Sequence, residues 1–134
     1  MTAPTGNLKV ALCDGADCAT LRIHAKDRDI LRPLLKLFWE LGNGQHTTAL
    51  LNELLSMTFD ACSSVTCVVE AVGIERIETI EAEAGPAVEW TQSAEQWHDC
   101  CGLLEGLING SGPGHQYLTN PNGVLVVVAV GEGA

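Results

Sequence analysis

The sequence predicts an α+β protein with a mainly antiparallel β-sheet, built from hairpins, and about three helices packed on it. Two observations carry this prediction: short alternating segments separated by turn residues, and longer segments with apolar residues at helical spacing. The composition, 46% hydrophobic and 18% charged, is that of a folded protein and excludes a disordered one. A chain of 134 residues can bury a core as one domain, residues 1–134.

The first predicted element is a β-hairpin close to the N-terminus. Two alternating segments, LKVALC and ATLRIH, flank the turn residues DGAD. If Gly15 and Ala16 form the turn, Cys13 faces Cys18 across the ladder. The four-residue spacing of these two cysteines would then follow from hairpin geometry.

Two helices are predicted after this hairpin. The first follows the capping aspartates of DRD, holds Pro33 in its first turn and stops at Gly42. The second begins at Thr47 or Thr48 and carries apolar residues on one face: Leu50, Leu51, Leu54 and Leu55. The short loop between the two helices predicts an antiparallel or steeply crossed pair.

The middle of the chain predicts a buried strand at VTCVV, residues 65–69, followed by an ambiguous segment over 74–91. Isoleucines at 74, 77 and 80 fit a helix, whereas Gly85-Pro86 before AVEW favours a hairpin. We predict the hairpin, with strand as the structure of residues 74–83.

A third helix begins at the capping box SAEQ, residues 93–96. Gly102 and Gly106 on this helix each cost about 1 kcal/mol relative to alanine, which suggests that something packs closely there. One face of the helix is apolar: Trp97, Cys100, Cys101, Leu104, Leu107 and Ile108.

The turn sequence NPNG, residues 120–123, predicts a final hairpin. Its second strand, residues 124–130, is apolar on both faces. We expect such a strand to be covered on both sides, by helices, a second sheet or another subunit. A hairpin followed by a helix thus occurs twice, at 8–41 and 74–109, without matching residues.

The charge of the chain is uneven. Residues 1–60 carry six Lys/Arg and seven Asp/Glu, whereas residues 61–134 carry one and ten. Such a surface repels phosphate and anionic lipid, so we expect neither nucleic acid nor membrane as a partner. It favours a basic protein, although a solvated surface that maintains solubility explains it as well. With no apolar leader and no membrane-length segment, we expect a cytoplasmic protein in a reducing compartment.

Four cysteines form two pairs of equal spacing, Cys13/Cys18 and Cys62/Cys67. Thiolates bind zinc where four ligands form a tetrahedron, often from two close pairs, so these four are the candidate metal ligands. The same spacing also fits buried free thiols, or a hairpin disulfide between Cys13 and Cys18.

Patterns for catalysis are absent from the sequence. The histidines fit no metalloprotease motif, and GSGPG follows a helix where a phosphate loop would follow a strand. Cys100 and Cys101 lie two turns inside their helix, too far for its dipole to lower their thiol pKa. A pocket between sheet and helices is a further candidate, lined by aromatic and polar residues: Trp90, Trp97, His115 and Tyr117.

These observations favour a non-enzymatic protein-binding or self-associating module that needs no cofactor and forms a homodimer. One concrete version is an inhibitor or immunity-type protein whose acidic surface masks a basic target. The alternative is a zinc or thiol protein that uses the Cys13/Cys18 and Cys62/Cys67 pairs, or Cys100 with Cys101 as reactive thiols.

Overall fold

The computed structural model describes residues 8–14, 19–51, 57–60, 62–70, 75–83, 85–111, 113–119 and 124–131. These residues form nine strands, two α-helices and one 3-10 turn: β1 (Leu8–Asp14), β2 (Ala19–Ala25), the 3-10 turn (Arg28–Leu31), α1 (Arg32–Gly42), β3 (Thr48–Leu50), β4 (Met57–Asp60), β5 (Ser64–Val69), β6 (Arg76–Ile80), β7 (Ala87–Gln92), α2 (Ala94–Ile108), β8 (Gly114–Thr119) and β9 (Val124–Val130). Neither of the described α-helices has the length and apolarity that crossing a membrane requires.

The strands form a five-stranded sheet in the order β4-β1-β2-β9-β8 and a four-stranded sheet in the order β3-β5-β7-β6. The hairpins β1–β2, β6–β7 and β8–β9 are antiparallel, as predicted. However, β1 pairs with β4, β2 with β9 and β5 with β7 in parallel. The α+β class is therefore confirmed, but the sheets are mixed rather than mainly antiparallel. Parallel pairs join strands that are distant in sequence, so no local turn sequence predicts them.

The prediction of a helix that begins at Thr47 or Thr48 is wrong for its first residues, because Thr48–Leu50 forms an edge strand that pairs with β5. Residues 52–56, which would have continued that helix, lie outside the described residues. The helical spacing of the leucines was a weak local preference that a tertiary contact, the pairing with β5, overrides. The described chain thus has two α-helices rather than about three.

The first hairpin has a different strand register from the one that the sequence predicted. Cys13 pairs with Thr20 and Asp14 with Ala19, so β2 is shifted by two residues from the register in which Cys13 would face Cys18. Cys18, which was expected to face Cys13, belongs to the connecting residues 15–18 and lies outside the described part. The described ladder therefore does not pair the two cysteines.

The two sheets repeat one plan. In the five-stranded sheet, the β1–β2 hairpin pairs in parallel with β9, which pairs antiparallel with β8. In the four-stranded sheet, the β6–β7 hairpin pairs in parallel with β5, which pairs antiparallel with β3. Helix α1 follows the first hairpin and α2 the second, and each leads to a strand of the other sheet. The two hairpin–helix units are thereby cross-connected, and β4 is an addition at one edge.

Both helices bury one face in a single apolar cluster that also receives the inner faces of both sheets. The capping box predicted for α2 is present: Ser93 and Gln96 satisfy each other's backbone N–H groups. At the other end of α2, Arg28 Nε donates a hydrogen bond of 3.0 Å to the Leu107 carbonyl oxygen. The predicted apolar face of α2 is buried, from Trp97 to Ile108.

The two glycines of α2 do not serve internal packing. A Cβ atom built on Gly102 or Gly106 meets no described atom within 4 Å. Gly42 of α1 differs, because a Cβ atom there would lie 2.7 Å from the imidazole of His98. The close approach expected at the α2 glycines therefore occurs at Gly42 instead.

Candidate protein-binding face

The outer face of the five-stranded sheet is the most distinctive surface of the described chain. Along β9, Val126, Val128 and Val130 point inward and are buried in the core. The alternate residues Leu125, Val127 and Ala129 therefore point to the opposite side. The strand is apolar on both faces, as the sequence predicted. On its outer side Leu125 and Val127 are half-buried, and Ala129 is buried.

The strand register arranges the outer side chains in rows that cross the sheet. The central row is Ala11, Arg22, Val127 and Tyr117, on β1, β2, β9 and β8. A second row on the same four strands is Lys9, His24, Ala129 and His115, and a third is Cys13, Thr20 and Leu125. We call the surface formed by these three rows the open face.

The open face contains a shallow depression of about 410 Å³ over β2, β9 and β8. Leu125 and Val127 are half-buried at its floor, and Tyr117 at its rim is 53% exposed. The Tyr117 ring contacts the His115 imidazole edge to face, with centroids 5.3 Å apart. An apolar floor with an aromatic and basic rim is typical of protein-binding surfaces, in which tyrosine and arginine are enriched.

The corresponding row of the four-stranded sheet has a different chemistry. Glu78, Glu89, Thr66 and Leu50 lie side by side there, on β6, β7, β5 and β3. The three rows, which lie on β1, β2, β9 and β8, contain no carboxylate, although Asp60 on the edge strand β4 pairs with Ala11 and continues the central row. Because the two sheets share one plan, the fold itself does not require this difference in charge.

The candidate pocket predicted from Trp90, Trp97, His115 and Tyr117 is divided by the sheet. His115 and Tyr117 lie on the open face, whereas both tryptophans are fully buried in the core. The tryptophan ring centroids are 4.7 Å apart and both rings contact Phe38. Two of the four residues thus belong to the candidate site and two to the core.

The predicted zinc ligands are also separated. Cys13 is exposed on the open face, Cys62 is buried, and Cys67 is buried on the inner face of β5. Among the described residues, no three His, Cys, Asp or Glu side chains are grouped so that they could hold a metal ion. Cys18 lies outside the described residues. The structure therefore does not bring Cys13, Cys62 and Cys67 together as one site.

The buried thiols are poor nucleophiles. Burial raises the pKa of Cys67 far above its usual value, and that of Cys101 to about 11. Burial also raises the pKa of Cys100 to about 12, although a hydrogen bond from Gln92 Nε2 to its Sγ opposes this effect. Since the thiolate is the reactive form, these three residues lack the lowered pKa that a thiol enzyme requires.

We predict that iodoacetamide modifies native Cys13 at pH 8 much faster than Cys62, Cys67, Cys100 or Cys101, because only Cys13 of these five is exposed. Peptide mass spectrometry of the alkylated protein measures each rate, and the same measurement in urea is the control that all five can react. Fast labelling of Cys100 or Cys101 in the folded protein would restore the thiol-enzyme alternative.

A second depression, of about 440 Å³, lies between the exposed sides of α1 and α2. Trp39, 52% exposed, contacts His98 edge to face at 5.5 Å, and Cys101 lies at the floor. Arg32 and Glu105 are on opposite helices at its rim, and Arg32 pairs with Asp29 at 3.1 Å. The groove is lined by both basic and acidic side chains, and the pKa of its thiol, Cys101, is raised rather than lowered. It therefore indicates no particular ligand or reaction.

Several residues of the open face were not predicted from the sequence to belong to a site. His115, Tyr117 and the doubly apolar β9 were recognised, but Ala11, Arg22 and Leu125 were not connected with them. The alternation within β1 and β2 already separates their inner from their outer residues. The sequence does not reveal the parallel pairing of β2 with β9, which places Arg22 beside Val127.

Comparison of the whole chain with protein-family models, with curated proteins and with solved structures finds no match.

Proposed function

We propose that this chain is a non-enzymatic protein-binding module whose docking surface is the open face. The observation that carries the proposal is the central row of that face, where Val127 lies between Arg22 and the exposed Tyr117. Arginine and tyrosine around an apolar centre are the side chains that contribute most to protein interfaces.

The inner and outer residues of β9 support this proposal. The inner valines already stabilise the core, so the outer Leu125 and Val127 are not needed to fill it. A sheet face exposed to water ordinarily carries polar side chains on alternate positions. Two partly accessible aliphatic side chains on β9, beside the edge strand β8, are instead what a docked partner would cover.

The experiment is an affinity co-purification from cells of the organism that makes this protein. It compares three tagged forms of the chain as baits: wild type, Val127→Glu and Ile80→Glu. Ile80 is a matched control, because it is an aliphatic residue on the other sheet and is 50% exposed. We expect wild type and Ile80→Glu to retain the same protein, and Val127→Glu to retain at least about tenfold less of it, because a glutamate would be buried without a partner at the docked surface. Equal recovery on all three baits would overturn the proposal.

A second candidate is an inhibitor or immunity-type role that uses the four-stranded sheet. Glu78 and Glu89 are directly opposite each other across the β6–β7 ladder, and like charges in such pairs are destabilising. Arg76 donates to Glu78 at 3.2 Å but also binds Glu70, so carboxylates remain in excess there. A basic protein target would relieve this repulsion. Its binding should weaken as NaCl is raised, and binding that salt leaves unchanged would exclude this role.

A further inference from the structure

We propose that the partner of the open face is held by strand addition: an extended segment of another protein, without acidic residues, pairs with β8 as a sixth strand of that sheet. This inference rests on the proposed function, because it names how the partner of the same surface is anchored. In this mode of recognition, main-chain hydrogen bonds supply affinity and alternate side chains supply specificity.

The edge at β8 lacks the charges and the short length that protect the other sheet edges. An edge strand presents backbone groups that can pair with a further strand, and proteins usually prevent this with short strands, charged residues or proline. Among the described edge strands, β3 has three residues, β4 has four and includes Asp60, and β6 carries Arg76 and Glu78. β8, in contrast, has six residues, and none of them is charged or a proline. It is therefore the described edge best suited to receive another strand.

The backbone of Tyr117 points toward this edge. Gly131, which follows β9, donates its N–H to the Ala25 carbonyl oxygen at 3.1 Å, so the odd-numbered residues of β9 direct their backbone groups to β2. Alternation along the strand then directs the N–H and C=O of Val128 to β8, where Val128 pairs with Gln116. Tyr117, the next residue of β8, consequently directs its own N–H and C=O away from β9.

A side chain already forms a hydrogen bond at this edge. Gln116 Nε2 donates to the Tyr117 carbonyl oxygen at 2.9 Å, in an exposed position. A backbone N–H of an added strand is an equivalent donor, and the exchange costs little because the released amide can bind water. The ladder register shifts between Tyr117 and Thr119, so the regular part of the edge is residues 114–117. The added segment therefore pairs with these four residues.

The side chain of Tyr117 indicates which residues the segment carries. Tyr117 is 53% exposed and lies directly opposite Val127 on the open face. A residue of the added strand opposite Tyr117 therefore contacts the tyrosine from the side away from Val127, and the central row gains one member. Aromatic and β-branched side chains are favourable in such cross-strand pairs. We expect valine, isoleucine, threonine or an aromatic residue at this position of the segment.

The charge of the chain disfavours an acidic segment and a second copy at this edge. β8 belongs to the part of the chain, residues 61–134, that carries ten Asp/Glu and one Lys/Arg. This excess of negative charge repels a segment with carboxylates and attracts one with lysine or arginine. Two copies joined at β8 would bring two such acidic halves together, whereas a neutral or basic segment of another protein avoids this repulsion.

Peptide display tests the inference with a defined probe. Short random peptides on phage are selected on the wild-type chain, and an enriched peptide is synthesised and titrated against wild type, Tyr117→Ala and Tyr117→Pro. Both variants lose the tyrosine side chain, but only proline lacks the backbone N–H that the added strand would use. We expect the proline variant to bind at least about tenfold more weakly than the alanine variant, because a carbonyl oxygen of the peptide is left without its donor.

Folding and the position of the peptide are measured separately. Thermal unfolding compares the two variants, since proline is tolerated at an edge position whose N–H faces solvent. Hydrogen exchange of the wild-type complex needs no variant: the Tyr117 amide should exchange at least about tenfold more slowly with the peptide bound. An unchanged exchange rate at this amide would overturn strand addition, and so would equal affinity of two folded variants.

Further outcomes separate this inference from the proposed function. Enriched peptides that are rich in Asp and Glu, or the absence of any enriched peptide, would overturn the proposed segment. Self-association that Tyr117→Ala retains and Tyr117→Pro abolishes would place a second copy at β8, which also overturns it. If the co-purified protein is lost by Val127→Glu but retained equally by Tyr117→Ala and Tyr117→Pro, the proposed function stands and strand addition is wrong.

Discussion

Replacing Val126 by glutamate is expected to unfold the protein, whereas the same replacement at the adjacent Val127 is expected to leave it folded. Val126 is fully buried in the core, and Val127 is half-buried on the open face. An ionised carboxylate in an apolar interior without a partner costs several kcal/mol, which is comparable to the total stability of a domain. At Val127 the carboxylate can reach water, and we expect a loss of about 1 kcal/mol or less.

Thermal unfolding followed by circular dichroism measures both variants. The expected result is a cooperative transition for Val127→Glu near that of wild type, and no cooperative transition for Val126→Glu. Similar losses in both variants would mean that the outer side of β9 is part of the core. In that case the effect of Val127→Glu on binding could not be separated from its effect on folding.

The second large effect is expected at Trp97. Its ring is fully buried against Phe38 and Trp90, with ring centroids 5.2 Å and 4.7 Å away, and its Nε1 donates a hydrogen bond of 3.1 Å to the Val68 carbonyl oxygen. Trp97→Ala removes an aromatic side chain at the contact between α2 and β5. We expect the free energy of unfolding to fall by about 3 to 5 kcal/mol.

Urea unfolding of Trp97→Ala, with Trp39→Ala as its control, measures this effect. Trp39 is also a tryptophan in a helix but is 52% exposed, so its replacement should cost about 1 kcal/mol or less. If the two variants lose similar free energies, the aromatic cluster is not a centre of the core. A loss at Trp97 alone would support the position of α2 against β5 and the inner side of the four-stranded sheet.

The local part of this fold follows from the sequence. Alternation and turn residues predicted all three hairpins, including β6–β7, where a helix was the competing interpretation. The capping box at Ser93 predicted the start of α2, and its apolar spacing predicted the buried face. In each case, residues close in the chain determine the structure through backbone hydrogen bonds that form locally.

The non-local part could not be predicted in the same way. Ala19 pairs with Val124 and Ser64 with Ala87, contacts between residues that no local pattern connects. The edge strand β3 was mistaken for a helix, because its pairing with β5 outweighs the spacing of the leucines. The register of the first hairpin was predicted two residues away from the observed one, because the turn residues DGAD alone do not determine which strand residues pair.

The same distinction applies to the candidate site. The sequence identified β9 as apolar on both faces and named His115 and Tyr117, since these features lie within single strands. It placed Trp90 and Trp97 beside them, although burial of both tryptophans separates the two pairs. Arg22 came into the site only with the parallel pairing of β2 and β9, which is a property of the folded chain.

The central claim is that the open face binds protein. Photo-cross-linking from this face, in cells of the organism that makes the protein, tests it most directly. A benzophenone amino acid replaces Tyr117, and a second form carries it at Ile80 as the control. We predict cross-links from position 117 to a peptide of another protein molecule, either a second copy or a different chain, and far fewer from position 80. If position 117 reacts only within its own chain, at the same low level as position 80, the open face binds no protein and the proposed function is wrong.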